Sequence, residues 1–368
     1  MVAEKGDDFL FFVRSGYTGT QQYVPAVWGG DAEATFDDTQ GLPSVLRGGL
    51  DLGLSGVPLW GSDVSGYKCR TDFPRDKEVY LRWVEMGAVS PIMMEQNACS
   101  NPIGAKRDKW KLWSDQETID VYGAMARLHT RLAPYFDVLA RESHATGAPI
   151  VRHPFLHHPH EPEAWGAESS FYLGPSLFAS PVVERGVTMK ETWLPPGKWV
   201  DLVDLAVYDG GRRASIPAPL AKLPLLLKDG GIVPMLDASI ETLAPAADPS
   251  VVTPATVADR LDVMVALSPG TSARIKLADG TELVARRKAD ANARAVSGYA
   301  EVPAEQAALC TDRALTAGCF SSHEEGMVSR LRITTPRTAE AVVAHEDQEL
   351  SVRGTVARRI RWDVMRLP

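Results

Sequence analysis

YVPAVWGGD at residues 23–31 and SGVPLWGSD at residues 55–63 share one form: an apolar run that ends in Trp-Gly-x-Asp. Each run precedes a helical pattern. After the first comes PSVLRGGLDLGL (43–54), with Pro43 where a helix start tolerates it. After the second comes RDKEVYLRWVEMGA (75–88), where Val79, Arg82, Trp83 and Met86 keep three-to-four spacing. FLFFVRSG (9–16) precedes these units and VSPIMMEQN (89–97) follows them, leading to a long helical stretch from Ser114 to about Ser143. Ser114 and Glu117 stand at capping-box spacing. Four strand-helix units with polar strand ends predict α/β architecture, part of a (β/α)8 TIM barrel, whose chemistry sits at the C-terminal strand ends.

From about Ala148 the rhythm changes. SLFASPVVE, KETWLPPGKWVDLV and LPLLLKDGGIVPM are short strands punctuated by Pro and Gly. The expected organisation is a partial barrel over 1–147, a proximal β-sandwich over 148–236 and a distal β domain over 237–368. In the last, Asp279-Gly280 joins a strand pair.

Composition narrows the function classes. Hydrophobic residues make up 45% and charged residues 23%, as in a globular protein with a real core. The net charge of -8 argues against nucleic acid as partner. No apolar run is long enough to span a membrane. The N-terminus, MVAEKGDDFLFFVRSG, has no signal-peptide pattern and reads as a chain entering in mid-domain.

The strand ends carry the candidate chemistry. Asp31 follows two glycines that allow it to be presented at a strand tip, beside the flat apolar face of Trp28. It could equally cap the next helix. Asp63, behind Trp60-Gly61, repeats the arrangement and favours function. Paired carboxylates serve glycoside hydrolysis, and they also chelate metals or hold substrate hydroxyls. Arg14, Glu95 and Asn97 close the other strands on the same rim, and a buried Arg14 would grip carboxylates. Arg82 and Trp83 read as packing and pairing residues. His153, His157, His158 and His160 sit among prolines without metal-site spacing, so no metal is expected. Cys69–Cys99 and Cys310–Cys319 are candidate disulfides, set against four free thiols; the bridges would mean export to the periplasm or the cell exterior.

Several runs together resemble glycoside hydrolase family 31, the α-glucosidase and α-xylosidase family. They are R-S-x-x-x-G-x-Q-x-Y (14–23), W-G-G-D (28–31), G-V-P-L-W-G-S-D-V-S-G-Y (56–67) and L-R-W-x-E-x-G-A-x-x-P-x-M (81–93). YLGPSLFASPVVERG, LPPGKWVDL and LPLLLKDGGIVPM resemble the β-sandwich that follows the barrel in that family.

The resemblance implies hydrolysis of O-glycosidic bonds in α-glycosides by a retaining double displacement, with Asp31 as general acid/base and no cofactor. It implies sugar contacts from Trp28 and Asp63, with Trp60, Tyr67, Gln22, Arg14, Glu95 and Asn97 as further candidates. The family's nucleophilic aspartate lies on an upstream strand, and no residue here matches it. The chain is therefore expected to be incomplete alone, with its own N-terminal half as partner. The other readings are a non-catalytic carbohydrate-binding protein and an inactive truncated member.

Two departures bear on specificity. Many α-glucosidases of the family carry Arg at Gln22, and Arg-x-His at Glu95-Gln96-Asn97. G-x-Q-x-Y, W-x-G-D and Tyr67 resemble the sulfoquinovosidase branch, where a tyrosine helps to bind a sulfonate. That branch keeps the Arg-x-His, and Glu95 in the same pocket would repel a sulfonate.

Overall fold

The structure, a computed structural model, describes residues 11–69, 76–101, 108–289, 300–301, 319–325, 327–335, 340–345, 347–354 and 358–368. Its first part is a parallel sheet of β1 (Phe12–Val13), β2 (Ala26–Trp28), β3 (Trp60–Val64) and β4 (Ile92–Glu95), adjacent in sequence order. Between them run α1 (Leu42–Leu54) and α2 (Lys77–Gly87). After β4 come α3 (Gln116–Arg131) and α4 (Ala133–Thr146). Sequential parallel pairing with helical crossovers is the pattern of one side of a (β/α)8 barrel.

Three local expectations change. The β1–β2 connection holds only a 3-10 turn, Thr20–Gln22, because Gly16, Gly19 and Pro25 leave no room for a helix. The long helix expected from Ser114 divides at Leu132: Pro134 opens α4 and cannot continue the ladder of α3. The N-cap of α3 is Asp115, not Ser114. Its side chain accepts from Thr118 N at 2.8 Å, and Glu117 pairs with Lys77 of α2.

Sheet register assigns each strand residue to a face. Val27 pairs with Trp60, and Trp28 with Gly61; Ser62 pairs with Met93, Asp63 with Met94, and Val64 with Glu95. Paired residues share a face, and neighbours along a strand alternate. Ser62 accepts the Trp83 indole N–H of α2 at 3.0 Å, so Trp60, Ser62, Val64 and Glu95 belong to the helix side. Trp28, Gly61 and Asp63 belong to the helix-free side.

Trp60 lies against α1 and is 2% exposed. A Cβ on Gly49 of α1 would meet the Trp60 ring at 2.1 Å, whereas one on Gly48 meets nothing within 4 Å. The two adjacent glycines therefore predict opposite outcomes. Gly49→Ala is expected to destabilise by about 1–3 kcal/mol through overpacking. Gly48→Ala is expected to stabilise by about 0.5–1 kcal/mol through helix propensity. Urea midpoints compare them.

α2 also binds the sheet behind it. Arg82 and Glu85 are 1% and 0% exposed and pair at 3.0 Å. Arg82 donates to Val187 O and Ala218 O, both at 2.7 Å, and to Pro219 O at 3.2 Å. Glu85 accepts from Ala221 N at 2.9 Å. These contacts fasten the barrel helix to the proximal β module.

That module has a six-stranded sheet containing β5 (Val151–Arg152), β6 (Phe171–Leu173), β7 (Leu177–Ala179), β9 (Lys198–Asp201), β10 (Val207–Asp209) and β12 (Leu225–Lys228). The antiparallel pair of β8 (Met189–Leu194) and β11 (Arg212–Pro217) forms a second, two-stranded sheet. Tyr172, Phe178, Trp199, Ile216 and Leu226 fill one core between them.

The next strand, β13 (Ile232–Met235), pairs antiparallel with β14 (Arg260–Leu267) of the distal sheet. The proximal sheet thus ends before the expected boundary at 236. The hairpin β15 (Ser272–Lys276) and β16 (Glu282–Arg287) turns at Asp279-Gly280, where Gly280 has φ +85°. β14 runs parallel to the last strand (Arg358–Arg366), with Trp362 buried in the distal core. Cys310 lies outside the described residues.

Candidate active site

Two turns bring the strand-end carboxylates together. After β2, Gly29 N donates to Gly61 O at 2.8 Å, and Gly30 takes φ +85°, which turns the chain toward Asp31. After β3, Ser65 and Gly66 both take left-handed φ, +66° and +67°. A Cβ on Gly66 would meet the Glu33 backbone at 2.8 Å. A non-glycine residue in that region is strained and is held there by its surroundings. Here the surroundings are hydrogen bonds from Tyr67 N and Lys68 N, both to Ala32 O at 2.8 Å. The Asp63 turn is thereby tied to the residue next to Asp31.

A second tie lies further along the rim. Glu33 bridges to Lys68, and Lys68 to Ser100. Cys69 and Cys99 are joined by a disulfide with Cα atoms 5.8 Å apart. The loops after β2, β3 and β4 thus form one connected edge.

Arg14 Nη1 lies 3.6 Å from Asp31 Oδ1, with side-chain exposures of 61% and 27%. The Arg14 guanidinium sits 5.7 Å from the Trp28 ring. Arg14 is thus an open, single-contact ion pair and not the buried fork its position suggested. Trp28, Asp31 and Arg14 border a cleft of about 390 Å³ that runs to Ser44 and Gly49 of α1 and to Lys68.

Asp63 is 5% exposed. Burial raises its pKa to about 6; Lys109 and the Trp28 indole pull it down, and Asp31 pushes it up. The Trp28 N–H faces Asp63 without closing a full hydrogen bond, and Asp63 Oδ2 has no partner. Trp28, Asp31 and Asp63 therefore form one electrostatic cluster. Because folding raises the pKa of Asp63, the native state binds the extra proton between pH 3.8 and about 6. Stability is expected to fall as pH rises through that window. Asp63→Asn removes that part of the dependence, as denaturant titrations at stepped pH would show.

The other candidates divide. Tyr67 is half-buried on the tied turn, while Gln22 and Asn97 are exposed on their loops. Trp60 and Glu95 do not join the cluster. Trp60 packs on α1 and borders the same cleft as Trp28 and Asp31. Glu95 accepts from Tyr80 OH at 2.9 Å and from Tyr122, both on helices. It is turned toward the helix layer.

The two W-G-x-D runs look equivalent in sequence, yet the sheet pairs Trp28 with Gly61. A one-residue offset exchanges faces. Trp28 faces Asp63 and Trp60 faces the helices.

Lys109, buried at 1% exposure, was not singled out by the sequence. It stands in the charged run KRDKWK, where each lysine reads as solvated. Of the histidines, His158 meets Tyr172 OH at 2.7 Å and His153 accepts from Phe155 N at 3.4 Å. Among the described residues, no group of three or more His, Cys, Asp or Glu could hold a metal, and no helix is long and apolar enough to cross a membrane.

Parallel strands with carboxylates at their C-terminal ends define a barrel-type enzyme segment followed by β domains. The chain belongs to glycoside hydrolase family 31: residues 2–138 match the family's TIM-barrel domain and residues 147–233 its C-terminal domain. It is 32% identical over 219 residues to a sulfoquinovosidase of Agrobacterium fabrum, covering 59% of this chain and 32% of that protein. It is 33% identical over 233 residues to an α-glucosidase of Hordeum vulgare, covering 62% of this chain and 25% of that protein.

A family-31 sulfoquinovosidase from E. rectale, solved with the aza-sugar inhibitor IFGSQ, superposes with TM-score 0.56 at 30% identity, over 62% of this chain and 33% of that one. A Flavobacterium johnsoniae dextranase superposes with TM-score 0.70 over 96% of this chain and 47% of that one; at 20% identity this shows the fold. The chain spans about a third or less of the length of these curated relatives.

Proposed function

We propose that residues 1–147 form the acid/base side of a retaining α-glycosidase site, with Asp31 as general acid and then general base. The supporting observation is the meeting of Trp28, Asp31 and Asp63 at the strand ends, with Trp28 and Asp31 also bordering the cleft beside α1. In the first half-reaction Asp31 gives a proton to the glycosidic oxygen while a carboxylate attacks the anomeric carbon from the opposite face. In the second, Asp31 takes a proton from the water that displaces that carboxylate, and one water is consumed per bond cleaved. Trp28 offers the sugar ring an apolar face, and Asp63 holds a sugar hydroxyl. The nucleophile comes from a segment outside residues 1–368, which acts as the partner of this half-site.

Gln22, Tyr67 and Asn97 are the rim positions that select the glycone. Glu95, expected to oppose an anionic sugar, is held by Tyr80 and Tyr122 on the helix side, which removes that obstacle to a sulfoquinovoside. Export to an oxidising compartment is proposed on the Cys69–Cys99 bond.

The test supplies the chain with a nucleophile-bearing upstream segment and offers 4-nitrophenyl α-glucoside, α-xyloside, α-sulfoquinovoside and their β-anomers. Cleavage of an α-anomer with the α-sugar as first product is expected. Inversion, or cleavage of β-anomers alone, would refute the reading.

A further inference from the structure

Lys109 precedes α3 and is 1% exposed. Its Nζ donates to Gly66 O and lies 3.5 Å from Val64 O, two carbonyls of the turn that follows Asp63. A buried ammonium is costly unless it meets opposite charge. The carboxylates facing it are Asp63 of β3, Glu95 of β4 and the adjacent Asp108, with Lys111 opposing. Glu95 is already held by Tyr80 and Tyr122. Asp63 has an oxygen without a hydrogen-bond partner, so it is the carboxylate that depends on the charge of Lys109.

We propose that Lys109 is the positioning residue of Asp63: its ammonium clamps the Val64 and Gly66 carbonyls, fixes the turn that aims Asp63 at the helix-free face, and supplies counter-charge to that buried carboxylate. The role rests on the reading of Asp63 as a sugar-holding group, but the coupling is measured without sugar. Burial lowers the pKa of Lys109 to about 8, while burial raises that of Asp63 to about 6. Asp31 and the Trp28 indole also face Asp63 and act in opposite directions. Both members of the pair are charged in the window between those values.

The experiment is a carbon-13 NMR titration of the aspartate carboxyls in chain 1–368, with the Asp63 signal assigned from D63N. Lys109→Met is expected to raise the Asp63 midpoint by about 1 unit or more, and Lys109→Arg to restore most of it. The coupling is reciprocal, so D63N is expected to lower the midpoint of Lys109, followed at its own side chain. That second titration decides the matter should Lys109→Met fail to fold. An unmoved Asp63 midpoint in folded Lys109→Met, or an unmoved Lys109 midpoint in D63N, overturns the proposal. If the coupling is present but α-glycosides are not cleaved, the glycosidase reading fails and the Lys109–Asp63 link stands.

Discussion

Asp31→Asn, made in the chain together with a nucleophile-bearing segment, is expected to lower kcat/KM for an alkyl α-glycoside about 100- to 10,000-fold. The substitution keeps the side chain's size and removes only its capacity to give and take a proton. Its cost to stability is small, because the pair it breaks with Arg14 is open and 3.6 Å long; such pairs are worth about 0–1 kcal/mol. The loss would therefore be catalytic. An aryl glycoside with a good leaving group needs little protonation, so its bond-breaking step is expected to suffer far less. Comparing kcat/KM for the two substrates checks both claims. Equal losses would make Asp31 a binding residue.

The second large effect concerns folding. Arg82→Met is expected to destabilise the chain by about 3–5 kcal/mol, because Glu85 stays behind as a buried charge without its cation. Burial already pushes Glu85 up, and Arg82 is the first group that counters it. The carbonyls of Val187, Ala218 and Pro219 lose their donor at the same time. Replacing both, as Arg82→Met with Glu85→Leu, is expected to recover much of the loss. Urea unfolding of the two variants, with equal slopes, is the measurement. A single variant no less stable than the double one would contradict the assignment.

Much of the fold was legible because its signals are local. Apolar runs, Pro43 and the helical spacing of Val79, Arg82, Trp83 and Met86 belong to single elements, and the parallel sheet and helices follow them. Arg82 and Trp83 were also read as packing residues, and both are buried against the elements behind α2.

The site was half legible. Asp31, Trp28 and Asp63 were found at the strand ends, and the structure brings them into one cluster. Trp60 and Glu95 are turned to the helix side because face depends on register, which sequence does not print. A shared W-G-x-D pattern hides the one-residue offset that pairs Trp28 with Gly61. Lys109 was missed for a different reason. Its burial depends on Val64 and Gly66, far away in sequence, while its neighbours Asp108 and Lys111 advertise solvent. β13, just before the expected boundary at 236, takes its partner from the sheet that follows.

The central claim is that this polypeptide holds the acid of a double displacement and not the nucleophile. Intact-mass spectrometry after incubation with an activated 5-fluoro-α-glycosyl fluoride tests it most directly. Chain 1–368 alone is expected to gain no glycosyl adduct. With the upstream segment present, an adduct is expected on a carboxylate of that segment. A stoichiometric glycosyl adduct on any residue within 1–368 would contradict the claim.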